Sequence, residues 1–167
     1  MTYNTIFFDI GNTLCFFNYE FLRDLLKQKY DVSVTTEELE EKHVAMKRSL
    51  LEDKCFSMPH DELWVEAYRR WFASVGMAEE IIKPAIECVG NHPFKHLFWS
   101  RTEEGTKPML DWFRERGYKL GVISNAEGQI QKLLDHIGIT DRFDVVIDSG
   151  LVGFAKPDKR IFQKAMT

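Results

Sequence analysis

A chain of 167 residues, 44% of them hydrophobic, is long enough to enclose one core, or one core carrying an inserted unit, and too apolar to be disordered. Its formal net charge of −4 gives no electrostatic footing for nucleic acid or for an anionic membrane surface. Cys15, Cys55 and Cys88 are far apart and form no CxxC pair, no basic cleavable leader is visible, and no apolar run approaches the ~20 residues of a membrane span; the expectation is a cytoplasmic protein without disulfides or a zinc site.

The first element is the strand-like run "TIFFDI", residues 5–10, which stops on Asp9 and gives way to "GNT". A buried strand ending on a carboxylate presents it at its carboxyl end, where open α/β sheets bind ligands. From about Tyr19 to about Val89 the pattern is helical with little β signal. Leu22, Leu25 and Leu26 share one face, and Thr35 with Glu38 has the spacing of a capping box ahead of Leu39, Met46 and Leu50. After Pro59, the residues Trp64, Ala67, Tyr68, Trp71, Phe72 and Val75 make a stripe that reads as helix core, with Gly76 as its stop. Pro84 within "AEEIIKPAIECVG" predicts a broken or restarted helix, and "HPFKH" reads as a surface loop rather than as a pair of metal ligands.

From about Thr106 the pattern alternates: helix "TKPMLDWFRERG", strand "YKLGVISN", helix "GQIQKLLDHIG", strand "FDVVIDS", helix "DKRIFQKAM". Such alternation predicts a parallel sheet with crossover helices, which "IFFDI" would join across the helical stretch. Strand "LGVISN" then delivers Ser124 and Asn125 to the same edge as Asp9, and "GLVGFAKPD" offers Lys156 beside Pro157. Each has a plainer reading: a turn former, a helix N-cap, a solvated loop. Together, a carboxylate nucleophile, a hydroxyl and a lysine on one rim suit a tetrahedral anion.

"FFDIGNTL", "LGVISN" and "VGFAKPDKRIF" resemble the first three motifs of the haloacid dehalogenase superfamily, in order and spacing, over nearly the whole chain. The resemblance implies an α/β fold, a Rossmann-like parallel sheet core from residues 1–16 and 98–167, with an inserted α-helical cap over 17–97. It implies Asp9 as the nucleophile that becomes an aspartyl phosphate, Ser124 as a hydrogen-bond donor to the transferring group, Lys156 as the counter-charge, and supporting substrate contacts from Thr13 and Asn125. It further implies Mg²⁺ held by the Asp9 carboxylate and the Gly11 carbonyl, and a segment at Cys15, Phe16 and Phe17 that moves with the cap. The expected activity is a hydrolase, a phosphatase acting on a small phosphorylated metabolite.

Two departures from the family pattern qualify this expectation. Phosphatases of the family carry a second aspartate two residues after the nucleophile, as general acid and base, where this chain has Gly11. That favours substrates with good leaving groups and keeps two alternatives open, a haloacid dehalogenase-type hydrolase and a catalytically impaired fragment or binding protein. The family's fourth, acidic motif is absent before Thr167. The core is therefore expected to be incomplete at its carboxyl end, Mg²⁺ binding weak, the chain part of a longer enzyme, and the exposed edge of "TIFFDI" a route to a homodimer.

Overall fold

The computed structural model of the protein describes residues 4–167, so residues 1–3 of the expected core lie outside the described residues. The chain divides into two compact units, residues 4–18 with 96–167 and residues 19–95. The first begins with strand β1 (Thr5–Phe8), after which the chain enters the all-helical second unit.

Four helices build that unit: α1 (Tyr19–Tyr30), α2 (Thr36–Glu52), α3 (His60–Ser74) and α4 (Glu79–Gly90). Leu22, Leu25 and Leu26 of α1 are buried, as the period predicts. Thr35 is the N-cap of α2, its hydroxyl accepting the Glu38 N–H at 3.1 Å. Trp71 and Phe72 on α3 are fully buried, and the Trp71 indole N–H donates to the Leu39 carbonyl at 3.0 Å, which satisfies its one polar atom. The expected break at Pro84 does not occur; α4 runs unbroken from Glu79 to Gly90 with the proline inside it. Burial of Ile82, Ala85, Ile86 and Val89 along one stripe offsets the missing backbone bond, and the Tyr30 hydroxyl donates to the Pro84 carbonyl at 2.9 Å.

The core unit continues with α5 (Thr106–Glu115), β2 (Lys119–Ser124), α6 (Ile130–Ile137), β3 (Val145–Asp148), a short helix α7 (Ser149–Val152) and α8 (Lys159–Ala165). The sheet has strand order β1-β2-β3 with both pairings parallel, so all three carboxyl ends lie on one edge. One face is covered by a cluster of Ile10, Leu14, Cys15, Leu110, Leu120, Val122, Ile130, Leu133 and Leu134; the other packs Ile123 and Ile147 against Ile161 and Ala165 of α8. On that second face, β2 passes under a ring. A Cβ on Gly121 would stand 2.5 Å from Phe7 Cε1 and 2.8 Å from Val145 Cγ1, so only glycine lets the neighbouring strands close over it. Helix α7 was not expected: its glycine-flanked "SGLV" carries no helical period, and it is held by the Asp148 cap rather than by propensity.

Candidate active site

Asp9 is the first residue after β1, and continuation of the register, in which Phe8 faces Val122, sets it beside Ile123 of β2. The chain then winds tightly about one carbonyl: Ile10 O accepts the N–H groups of Thr13, Leu14 and Cys15 at 3.2, 3.0 and 3.0 Å. This turn buries Ile10, Leu14 and Cys15, each at most 1% exposed, and leaves the Asp9 carboxylate 45% exposed on the rim. Asn12 takes the left-handed conformation the turn requires, which asparagine tolerates.

Lys156 meets Asp9 directly. Its Nζ stands 2.9 Å from Asp9 Oδ1 and donates to the Ile123 carbonyl at 2.8 Å, while Asp9 Oδ1 also accepts the Ile10 N–H at 2.8 Å. The lysine is thus aimed from both ends: its tip by β2, its backbone by Asn125. The Asn125 side chain accepts the Lys156 N–H at 2.7 Å and donates to the Lys156 carbonyl at 2.9 Å, a two-bond clasp across 31 residues of sequence. Ser124 ends β2 and is buried at 4% exposure, and Thr13 is exposed on the turn; among the described residues neither hydroxyl bonds to Asp9. Gly11 contributes its carbonyl, to which no backbone N–H among the described residues donates.

Four contributors, Asp148, Ser149, Gly150 and Trp99, were not singled out from the sequence. Asp148, 2% exposed at the end of β3, accepts the N–H groups of Gly128 (2.9 Å), Gly150 (2.9 Å) and Ile130 (3.1 Å), and so pins the loop that follows Ser124 and Asn125. Ser149 ties the same loop, its hydroxyl accepting from Ala126 N at 2.9 Å and donating to Ala126 O at 3.0 Å. Gly150 permits that approach, because a Cβ there would lie 2.7 Å from Gly128 N and 2.8 Å from Glu127 C. Trp99 packs its six-membered ring beside Gly11 and an edge against Phe17, with ring centroids 5.5 Å apart. For Asp148 the signal was present, an apolar strand closing on aspartate as at Asp9; for Trp99 there was none.

Other titratable groups are accounted for by structure. Burial pushes the Cys15 thiol up to about 12, which leaves no thiolate at neutral pH. In the helical unit His43 stacks on Trp71 at 4.2 Å and hydrogen-bonds the Tyr19 hydroxyl at 2.9 Å; burial, then the charge of Lys47, brings it down to about 3. Arg69 and Arg70 pair with Glu66, and Arg70 also reaches Asp53 at 2.6 Å, so both brace that unit. The His60 side chain lies outside the described ones.

Among the described residues no three His, Cys, Asp or Glu side chains converge; the rim offers the exposed Asp9 carboxylate and the Gly11 carbonyl, to which no described backbone N–H donates. That fits Mg²⁺ keeping most of its ligands as water and substrate phosphate, and not a cation needing an all-protein cage.

A parallel three-stranded sheet flanked by helices, with a carboxylate–lysine pair at its carboxyl edge, defines an α/β protein of Rossmann-like design. The haloacid dehalogenase-like hydrolase model matches residues 3–167, and the chain belongs to that family. The haloacid dehalogenase-like hydrolase domain-containing protein 3 of Mus musculus is 38% identical over 103 residues, covering 62% of this chain and 41% of that protein. A glyceraldehyde 3-phosphate phosphatase of Methanothermobacter thermautotrophicus is 44% identical over 84 residues, 49% of this chain and 36% of its own. The match spans about two fifths of the length of the domain-containing protein 3 relatives. Among solved structures, that of YfnB from Bacillus subtilis bound to magnesium superposes with a TM-score of 0.62 at 18% identity over 98% of this chain and 71% of that one, a likeness of fold.

Proposed function

We propose that this chain is a phosphatase acting through an aspartyl-phosphate intermediate on a small phosphorylated metabolite. The observation that carries the reading is the 2.9 Å contact between Lys156 Nζ and an exposed Asp9 carboxylate at the carboxyl edge of a parallel sheet. An exposed carboxylate held by a cation and a backbone N–H is oriented for attack yet accessible to phosphorus. Lys156 offsets the charge that gathers as the anionic phosphoryl group approaches the anionic nucleophile, and Ser124 and Thr13 are the hydroxyls of the same edge available to its oxygens. Asn125 serves by holding Lys156 in place.

Asp9 and the Gly11 carbonyl would hold Mg²⁺, which when bound neutralises phosphoryl charge and aligns the phosphate with the nucleophile. The glyceraldehyde 3-phosphate phosphatase likeness supports a phosphate ester as substrate, and free buried thiols at Cys15 and Cys55 support the cytoplasm. Gly11 favours one second reading, halide displacement from carbon by the same Asp9, because halide departs without a proton. The deciding measurement is hydrolysis of p-nitrophenyl phosphate with and without Mg²⁺, by the wild type and Asp9→Asn, beside a chloroacid assay. Mg²⁺-dependent release of phosphate lost in Asp9→Asn is expected; chloride release alone would replace phosphatase by dehalogenase, and neither product would overturn the hydrolase reading.

A further inference from the structure

A phosphate monoester has two halves: the phosphoryl group, which all substrates of such a site share, and the group that carries it, which tells one substrate from another. Asp9, Lys156 and the hydroxyls of the carboxyl edge serve the first half. The second is met by whatever borders the turn that follows Asp9.

Gly11 lies two residues past Asp9, within ~7 Å of it along the chain, so a group bonded to phosphorus at Asp9 comes within reach of the neighbours of that glycine. Apart from the adjoining residues, a Cβ on Gly11 would meet two described atoms within 4 Å, Trp99 Cζ3 at 3.6 Å and Cε3 at 3.8 Å. Trp99 packs on the cluster of Ile10, Leu14 and Cys15 and meets the buried Phe17 ring at 80°, and it remains half-buried, with part of the indole open.

The ring is fixed from both sides along the chain. Before it, the Phe98 carbonyl accepts the Asn18 N–H at 2.8 Å. After it, Ser100 Oγ accepts from Asn18 Nδ2 at 3.0 Å and donates to the Leu97 carbonyl at 2.8 Å, while Arg101 and Phe16 exchange backbone bonds of 2.7 and 3.2 Å. A wall so held has little freedom left to lose when a ligand rests on it. Its polar atom is also available. Trp71 buries its indole N–H and satisfies it on Leu39, whereas the Trp99 N–H reaches solvent and bonds to no group among the described residues.

We propose that Trp99 is a specificity-determining wall of the site, and that the substrates it selects carry their phosphoryl group on or beside a planar unsaturated ring, which rests against the indole. The inference rests on the phosphatase reading and deepens it. Selection of this kind is made in binding, so it can be measured on ligands that have no leaving group.

The test is calorimetric binding of inorganic phosphate and of methyl-, cyclohexyl- and phenylphosphonate, with Mg²⁺ present. Phenylphosphonate should bind roughly 5- to 100-fold tighter than methylphosphonate, the worth of laying one planar ring on an aromatic side chain, and tighter than cyclohexylphosphonate, which is apolar but not planar. Trp99→Leu should bring the phenyl and methyl affinities together by weakening only the phenyl ligand, and Trp99→Phe should keep part of the gain. In the wild type the Trp99 indole N–H resonance, assigned by its loss in Trp99→Phe, should shift further with phenyl- than with methylphosphonate; this readout holds even where Trp99→Leu does not fold. Methylphosphonate binding with no gain for the phenyl ring, a gain shared by cyclohexyl or kept in a folded Trp99→Leu, or equal shifts of the resonance, overturns this proposal alone. Binding of no member, inorganic phosphate included, overturns this proposal and the phosphatase reading together.

Discussion

Replacing Asp148 by alanine removes the acceptor of three backbone N–H groups at one stroke. The Ile130 N–H is buried, and left unpaired it costs about 1–3 kcal/mol. The Gly128 and Gly150 N–H groups are partly buried and recover water, so each loses only the net worth of its bond, about 0.5–1.5 kcal/mol. The sum, about 2–6 kcal/mol, is a large share of the ~5–15 kcal/mol that holds a domain together. Urea unfolding followed by tryptophan fluorescence should show the midpoint falling at unchanged slope, and native-state hydrogen exchange should show the Gly128, Ile130 and Gly150 amides losing protection ahead of those in β2. A stability loss below about 1 kcal/mol, or protection at these three amides equal to wild type, would refute the idea that this carboxylate holds the loop.

Three further predictions rest on single contacts. Lys156→Met should lower kcat on p-nitrophenyl phosphate by about 10²- to 10³-fold while shifting stability by less than ~1 kcal/mol, because its partner Asp9 is half exposed; a fall under tenfold would remove Lys156 from charge stabilisation. His43 is neutral in the folded protein down to about pH 3, whereas the unfolded chain protonates it near pH 6.5; stability is therefore lost as pH falls through that window, by up to ~1.4 kcal/mol per pH unit. Urea midpoints at pH 7, 5.5 and 4.5 should show a shallower acid slope in His43→Gln, and parallel slopes would contradict the assignment. Gly121→Ala should destabilise by about 1–3 kcal/mol or more through collision with Phe7 and Val145, and Gly121→Ala combined with Phe7→Ala should recover part of the loss by thermal unfolding.

Much of the architecture was legible from periodicity. The stripes of α1, α2 and α3, and the alternation of helix and strand after Thr106, are properties of short windows; burial follows the predicted stripes of α1 and α2 and, in α3, centres on Trp71 and Phe72. Pro84 misled because a local penalty was weighed without the apolar face of α4 that outbids it. Helix α7 was illegible because it is held from outside, by the Asp148 cap and by packing that Gly150 alone permits.

The site divides the same way. Sequence by itself determined which chemical groups reach the carboxyl edge, since a strand that ends on a polar residue must deliver it there: Asp9, Ser124, Asn125 and Asp148 all follow that rule. What it could not determine is the fate of each group once there. Asp9 and Asp148 close two similar apolar runs, yet one stands 45% exposed against Lys156 and the other is buried under three N–H bonds. Only tertiary structure decides between them, because a carboxylate's role depends on which donors reach it through space, and those donors come from loops up to 147 residues away in the chain.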